Sequence, residues 1–106
     1  MYIVKQMPEF TGWLGGIKDS TTRIRLGMRL DKAQRGLLGD VKPVGEGVFE
    51  MREFFGPGWR MYYVLQNGVL IVMLGGGEKS SQPSDIDSAI ALSKTLLKES
   101  EDDPKN

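Results

Sequence analysis

Apolar positions along this chain follow two periods, and the period changes mark the elements. Tyr2, Val4 and Gln6 alternate with Ile3 and Lys5, a short strand pattern. Phe10, Trp13, Leu14 and Ile17 then recur at i, i+3, i+4 and i+7, one stripe of a helix. Pro8 suits the first turn of that helix and Glu9 complements its dipole. Gly15-Gly16 interrupts the stripe at about 1 kcal/mol per glycine, so a weak last turn is expected. Asp19-Ser20-Thr21-Thr22 is a cap cluster, and it opens a helix predicted over residues 21–35 that closes at Gly36. Residues 39–44 read as a short extended arm. After residue 82, Ile86, Ala89, Ile90, Ser93 and Leu97 return to helical spacing, with Pro83, Ser84 and Asp85 at the start.

Between arm and last helix the period is two. Residues 48–55, 59–66 and 69–75 read as three consecutive antiparallel strands rich in β-branched and aromatic side chains. Asn67-Gly68 is a hairpin turn signal, because both turn positions need positive φ. Gly56-Pro57-Gly58 punctuates the other connection. A two-residue loop at Asn67-Gly68 pairs Gln66 with Val69, Tyr63 with Val72 and Arg60 with Gly75. A three-residue loop at Gly56-Pro57-Gly58 pairs Phe55 with Trp59 and Arg52 with Tyr62. One face then carries Phe49, Met51, Met61, Tyr63, Leu65, Leu70, Val72 and Leu74, a core face for the two early helices. The other carries Glu50, Arg52, Arg60 and Tyr62, with opposed side chains about 5 Å apart. Gly75-Gly76-Gly77 either lets another group approach the backbone closely or releases the strand.

At 106 residues the chain reads as one domain, residues 1–98, followed by a disordered acidic tail, 99–106. Net charge is zero, but the tail holds four acidic residues against Lys105. The body retains 13 basic and 10 acidic residues, a net +3. There is no Cys and no His, which removes disulfides, thiolate metal sites and the commonest general base. No apolar run approaches the ~20 residues of a membrane span, and the first residues lack the apolar core of a signal peptide. The expected location is cytoplasmic. On the helix over 21–35, Arg25, Arg29 and Lys32 fall within an arc of about 60°, a basic stripe suited to a solvated face or to phosphates.

The strings GDVKPVGEGVFEMR, GPGWRMYYV and LGGGEKSSQPSDIDSAIAL, in that order, resemble the RelE/ParE superfamily of toxin–antitoxin toxins. They are most similar to its phage-derived, HigB-like branch, the addiction module killer proteins. The resemblance covers residues 2 to about 97. It implies an α+β, RelE-like fold: an N-terminal strand, two helices, a mainly antiparallel sheet and a C-terminal helix. It also implies a type II toxin that cleaves mRNA on the ribosome without metal or cofactor. The partners would be ribosome, mRNA and a HigA-like helix-turn-helix antitoxin, with DNA reached only through the antitoxin complex. Arg60, in Gly58-Trp59-Arg60, matches the arginine of the family's Gly-aromatic-Arg string. Arg52 and Lys79 match basic positions before and after it. RelE-like toxins carry a tyrosine in the C-terminal segment and HigB-like ones carry histidines; this chain has no tyrosine after Tyr63 and no histidine.

RNA cleavage by an internal 2′-hydroxyl needs that group deprotonated, a 5′-oxygen protonated and charge stabilised on the phosphate. Guanidinium forks suit the last need, so Arg60 and Arg52, with Lys79, are the candidate catalytic cations. Glu50, Tyr62 or a Lys79 of lowered pKa are the candidates for moving protons. Arg25, Arg29, Lys32 and Gln82 are the candidate RNA contacts. The same arginines also suit cross-strand ion pairs with Glu50 or Glu53. Carboxylates are scattered rather than clustered, which argues against a two-metal nuclease. Two further function classes stay open: a ParE-like, non-catalytic gyrase-binding toxin, and a catalytically silent module that only binds antitoxin.

Overall fold

In the computed structural model, which describes residues 1–101, the chain runs β1 (Ile3–Gln6), α1 (Pro8–Gly15), α2 (Ser20–Gln34), β2 (Val41–Gly45), β3 (Val48–Glu53), β4 (Trp59–Gln66), β5 (Leu70–Glu78), a 3-10 turn (Lys79–Ser81) and α3 (Gln82–Glu101). This is the α+β order expected. The expected arm is an edge strand, β2. Of the tail expected at 99–106, α3 takes in residues up to Glu101, and 102–106 lie outside the described residues.

Local chemistry sets the helix ends. α1 stops at Gly15, where the Gly16 N–H bonds the Gly12 and Trp13 carbonyls. Ile17 is therefore beyond the helix, although it still packs on the core. α2 is capped by Asp19, which accepts from the Thr21 N–H at 3.3 Å and the Thr22 hydroxyl at 2.7 Å. The Thr22 bond, first among the causes, holds the Asp19 carboxyl below its usual range. Gly36 closes α2 at φ +89°, with the Leu37 N–H bonded to the Lys32 carbonyl at 2.9 Å.

The five strands form one sheet in the order β1-β5-β4-β3-β2. β1 lies parallel to β5 and the remaining pairs are antiparallel. Two registers differ from those predicted. β3 pairs Glu53 with Trp59, so the connection is five residues, Phe54 to Gly58, rather than three. That shift is even, and an even shift leaves every side chain on its predicted face. Asn67 and Gly68 do hold positive φ, and the Val69 N–H bonds the Gln66 carbonyl at 3.2 Å. Val69 is then left out of the ladder, because Gln66 pairs with Leu70. This odd slip turns β5 over. Ile71 and Met73 join the Tyr63 side, while Leu70 and Val72 join the Tyr62 side. A bulge at Leu74, between the Tyr63–Met73 and Tyr62–Gly75 pairs, keeps Leu74 on the Tyr62 side as well. The expected placement of Leu70, Val72 and Leu74 with Phe49 and Met51 is thus corrected.

Both faces of the sheet are covered. α1 and α2 bury Phe10, Leu26, Leu30 and Ala33 against Met51, Met61, Tyr63, Ile71 and Met73. On the opposite face α3 packs Ala89, flanked by Ile86, Ile90 and Leu96, against Val48, Tyr62, Val72 and Leu74. The glycine run lets both layers close on β5. A Cβ on Gly76 would overlap the Trp13 ring of α1, and one on Gly77 would overlap the Asp85 carboxylate of α3.

Two substitutions test this packing by denaturant unfolding. Tyr63→Ala is expected to cost about 3–5 kcal/mol, as for other large aromatic truncations in a core. Gly76→Ala is expected to cost about 1–3 kcal/mol through overpacking on Trp13. Gly75→Ala is the control, since a methyl there has nothing within 4 Å. Equal stabilities for the Gly75 and Gly76 variants would mean α1 does not lie on β5.

Candidate functional site

β3 and β4 place Arg52 directly opposite Arg60, and Glu50 opposite Tyr62. All four side chains share the face that α3 partly covers. Like charges in directly opposed positions repel, and each arginine has its own counter-charge. Arg52 Nη2 donates to Asp40 Oδ1 at 3.0 Å, a half-exposed pair. Arg60 Nε lies 3.8 Å from Glu50 Oε1 in a buried pair. Glu50 and Tyr62 are 0% exposed and Arg60 is 5% exposed.

α3 fastens itself to this group. Gln82 Nε2 donates to Glu50 Oε2 at 2.7 Å. Four buried atoms of the group, Glu50 Oε1, Arg52 Nε, Arg60 Nε and Tyr62 Oη, make no hydrogen bond among the described residues. The cluster is held by charge and packing. Burial, and secondarily the Glu50 charge, raise the Tyr62 hydroxyl well above the usual tyrosine range. Tyr62 keeps its proton and is no general base.

Lys79 joins from the 3-10 turn. Its N–H donates to the Gly58 carbonyl at 2.8 Å, which ties the turn to the β3–β4 loop. Its side chain and Arg60 Nη1 both flank Gly58, 3.4 and 3.6 Å from the position a Cβ would take there. Arg52, Arg60 and Lys79 therefore converge at one end of the sheet. A residue absent from the sequence prediction stands with them. Phe54 is 70% exposed in the β3–β4 loop, and the guanidinium carbons of Arg52 and Arg60 lie 5.6 and 5.7 Å from its ring centroid. The available signal was an aromatic two positions past Arg52, but reading the strand on to Phe55 hid its place in the loop.

The candidate RNA contacts separate. Gln82 belongs to the cluster. Arg25 and Lys32 are exposed on α2, across the sheet, with Arg25 stacked 3.7 Å over the Phe55 ring. Arg29 does not belong on a solvent-facing stripe. It is buried, and its guanidinium donates to the carbonyls of Leu38 (3.0 Å), Arg52 (2.9 Å) and Asp40 (2.8 Å) and pairs with Glu53. Its donors are used in fastening α2 to β3, so the expectation of RNA contact fails there. Glu50 and Tyr62, the candidates for moving protons, are both fully buried in this arrangement.

What remains is a charged cluster: Lys79 exposed, Arg52 partly exposed, and Arg60 buried against the fully buried Glu50. A separate cleft of about 270 Å³ lies between α1 and α3 over Gly75 and Gly76. Glu9 and Asp85 line it, a poor setting for phosphate. Among the described residues no group of three or more His, Cys, Asp or Glu side chains has metal-holding spacing. No helix among them is long and apolar enough to cross a membrane.

No family model matches the chain. Over 93 residues it is 39% identical to an uncharacterized protein of Haemophilus influenzae, covering 88% of this chain and 94% of that one. The chain belongs to one family with that protein. Its fold is similar to a chain in the crystal structure of the intact E. coli RelBE toxin-antitoxin complex, with TM-score 0.61 and 16% identity over 74% of this chain and 96% of that chain. It is also similar to a chain of the Mycobacterium tuberculosis RelBE2 toxin-antitoxin complex, with TM-score 0.59 and 18% identity over 74% and 98%. The fold is RelE-like.

The buried tyrosines make an alkaline prediction. Burial is the main cause of the raised values of both Tyr62 and Tyr63. In the unfolded chain they titrate near 10. Above that pH the unfolded state holds fewer protons than the folded one, so stability falls as pH rises; below it the contribution is fully present. Denaturant unfolding from pH 8 to 11 is expected to show wild type losing stability faster above pH 10 than Tyr62→Phe. Parallel curves for the two proteins across pH 10–11 would contradict the assignment.

Proposed function

We propose that this family member is the toxin of a type II toxin–antitoxin pair, acting as a metal-independent, ribosome-dependent mRNA endonuclease in the cytoplasm. The observation that carries the reading is the convergence of Arg52, Arg60 and Lys79 at one end of a RelE-like sheet. A helix-turn-helix, HigA-like antitoxin is its proposed partner, and DNA is reached only through the complex of the two.

The chemistry is transesterification within RNA. The 2′-oxygen attacks the adjacent phosphorus while the bond to the 5′-oxygen breaks, giving a 2′,3′-cyclic phosphate and a 5′-hydroxyl. The 2′-proton leaves to water and the 5′-oxygen takes one from water. Arg60 and Arg52 donate to the non-bridging oxygens as charge accumulates, and Lys79 adds a point charge. Glu50 serves as a positioning residue that holds Arg60. A catalytically silent, antitoxin-binding module has its own support in the burial of Arg60.

Primer extension on ribosome-bound mRNA after induced expression separates these readings. Arg60→Ala alone strands the Glu50 carboxylate, and a buried unpaired charge is strongly destabilising. The variant is therefore Glu50→Gln with Arg60→Ala, compared with Glu50→Gln alone. Cutting is expected to fall about 10²–10³-fold when the guanidinium is lost. Arg60→Lys, with Glu50 intact, is expected to recover part of it, since the charge stays and the planar fork goes. Growth arrest by wild type without any cutting would move the assignment to a non-catalytic target such as gyrase. Antitoxin binding without growth arrest would leave the silent module.

A further inference from the structure

We infer that Phe54 is a stacking platform for one base of single-stranded RNA, holding the nucleotide whose phosphate meets Arg52, Arg60 and Lys79. The inference rests on the ribonuclease reading and names a contact within its site.

Folding does not account for this side chain. Its neighbour Phe55 packs against the core beneath Arg25. Phe54 packs against neither core cluster and leaves 70% of its surface in solvent. The connection needs glycines at Gly56 and Gly58, both with positive φ, but it has no need of an aromatic ring at position 54. Two guanidinium groups sit within cation–π range of the ring. They come from strands that pair Arg52 directly with Arg60, and Phe54 is the first residue of the loop that follows β3. Lys79 reaches the same loop through Gly58.

An exposed ring flanked by cations is the combination that binds single-stranded nucleic acid: the cations track the backbone and the ring takes a base. A peptide partner would find few apolar contacts beside this ring, because its neighbours are charged. Stacking is tolerant of base identity, since every base has a π-face. The residue would therefore position the strand without reading it.

The test is binding of fluorescently labelled protein to ribosomes programmed with an mRNA whose A-site codon carries 2′-O-methyl groups and is not cleaved. Phe54→Ala and Phe54→Leu are expected to weaken binding about 10–100-fold, the range for losing one stacked base. Phe54→Trp is expected to keep it. Leucine separates stacking from apolar contact. An mRNA abasic at one A-site position is expected to weaken wild type to the level of Phe54→Ala, with no further loss in that variant, a coupling that a structural role would not produce. Equal binding by wild type, Phe54→Ala and Phe54→Leu would overturn the stacking role while leaving the ribonuclease reading standing. Loss of antitoxin binding in Phe54→Ala with RNA binding unchanged would assign the ring to the protein partner and overturn it too. Wild type that neither binds programmed ribosomes nor cuts mRNA would sink the inference together with the function beneath it.

Discussion

Glu50 is the constraint around which one side of the molecule is arranged. Its carboxylate is buried completely in the middle of the sheet. An isolated ionised carboxylate in such a place would cost many kcal/mol, so it must be paired. The pairing comes from both layers that meet there: Arg60 on the neighbouring strand and Gln82 at the start of α3. Each partner is drawn out of its default position. Arg60 turns inward instead of into solvent, and α3 is tied down at its first residue. The helix then runs across the same face and covers Tyr62. One buried charge thus couples the register of β3 and β4, the docking of the last helix and the reach of the residue proposed to be central to the chemistry.

Arg29 is the counterpart on the opposite face. Its guanidinium collects three carbonyls and Glu53, binding α2 to the 38–40 loop and to the end of β3. The loop can close this tightly because residue 39 is glycine. It sits at φ +72°, and a Cβ there would meet the guanidinium at 3.1 Å. The carbonyl of Arg52 is one of the groups Arg29 holds, while the side chain of Arg52 leaves by the other face to meet Asp40. A buried arginine behind the sheet therefore fixes the strand end that presents Arg52 and Phe54. Local helix periodicity places Arg29 with Arg25 and Lys32, and all three do share a side of α2. What periodicity cannot show is that a loop eleven residues on folds back over one of them.

The same distinction explains which parts of the fold were legible. Side-chain alternation within β3 and β4 is local, so the Glu50, Arg52, Arg60 and Tyr62 face was readable from the residues. It survived an error in loop length because the error was even. Turn chemistry at Asn67-Gly68 was also readable, and both residues adopt positive φ. The omission of Val69 and the bulge at Leu74 were not. They depend on β1 joining β5 in parallel, with the Ile3 N–H taking the Val69 carbonyl, and on α3 drawing Leu74 to its own side. Those are tertiary demands on a strand whose own sequence fits either face. Burial of Arg60, Glu50 and Tyr62 was hidden for a related reason. The apolar stripe of α3 was evident, but its target face was not, and only the docked helix turns an exposed polar face into a covered one.

The glycine run at the end of β5 links this packing to the site. Trp13 presses on Gly76 from one side and Asp85 on Gly77 from the other, so two helices approach the strand where a Cβ would hold them apart. Asp85 also accepts from the Ser81 hydroxyl at 2.5 Å, which braces the turn carrying Lys79. The Lys79 N–H then bonds the Gly58 carbonyl across the sheet end. Close packing at the glycines thereby fixes the height of the turn above the β3–β4 loop, and so the separation of Lys79 from Arg60 and Phe54. A site that works by placed charge depends on such distances more than on the acidity of any one group. The absence of histidine from the whole chain is then compatible with the proposed chemistry, in which preorganised cations stabilise developing charge.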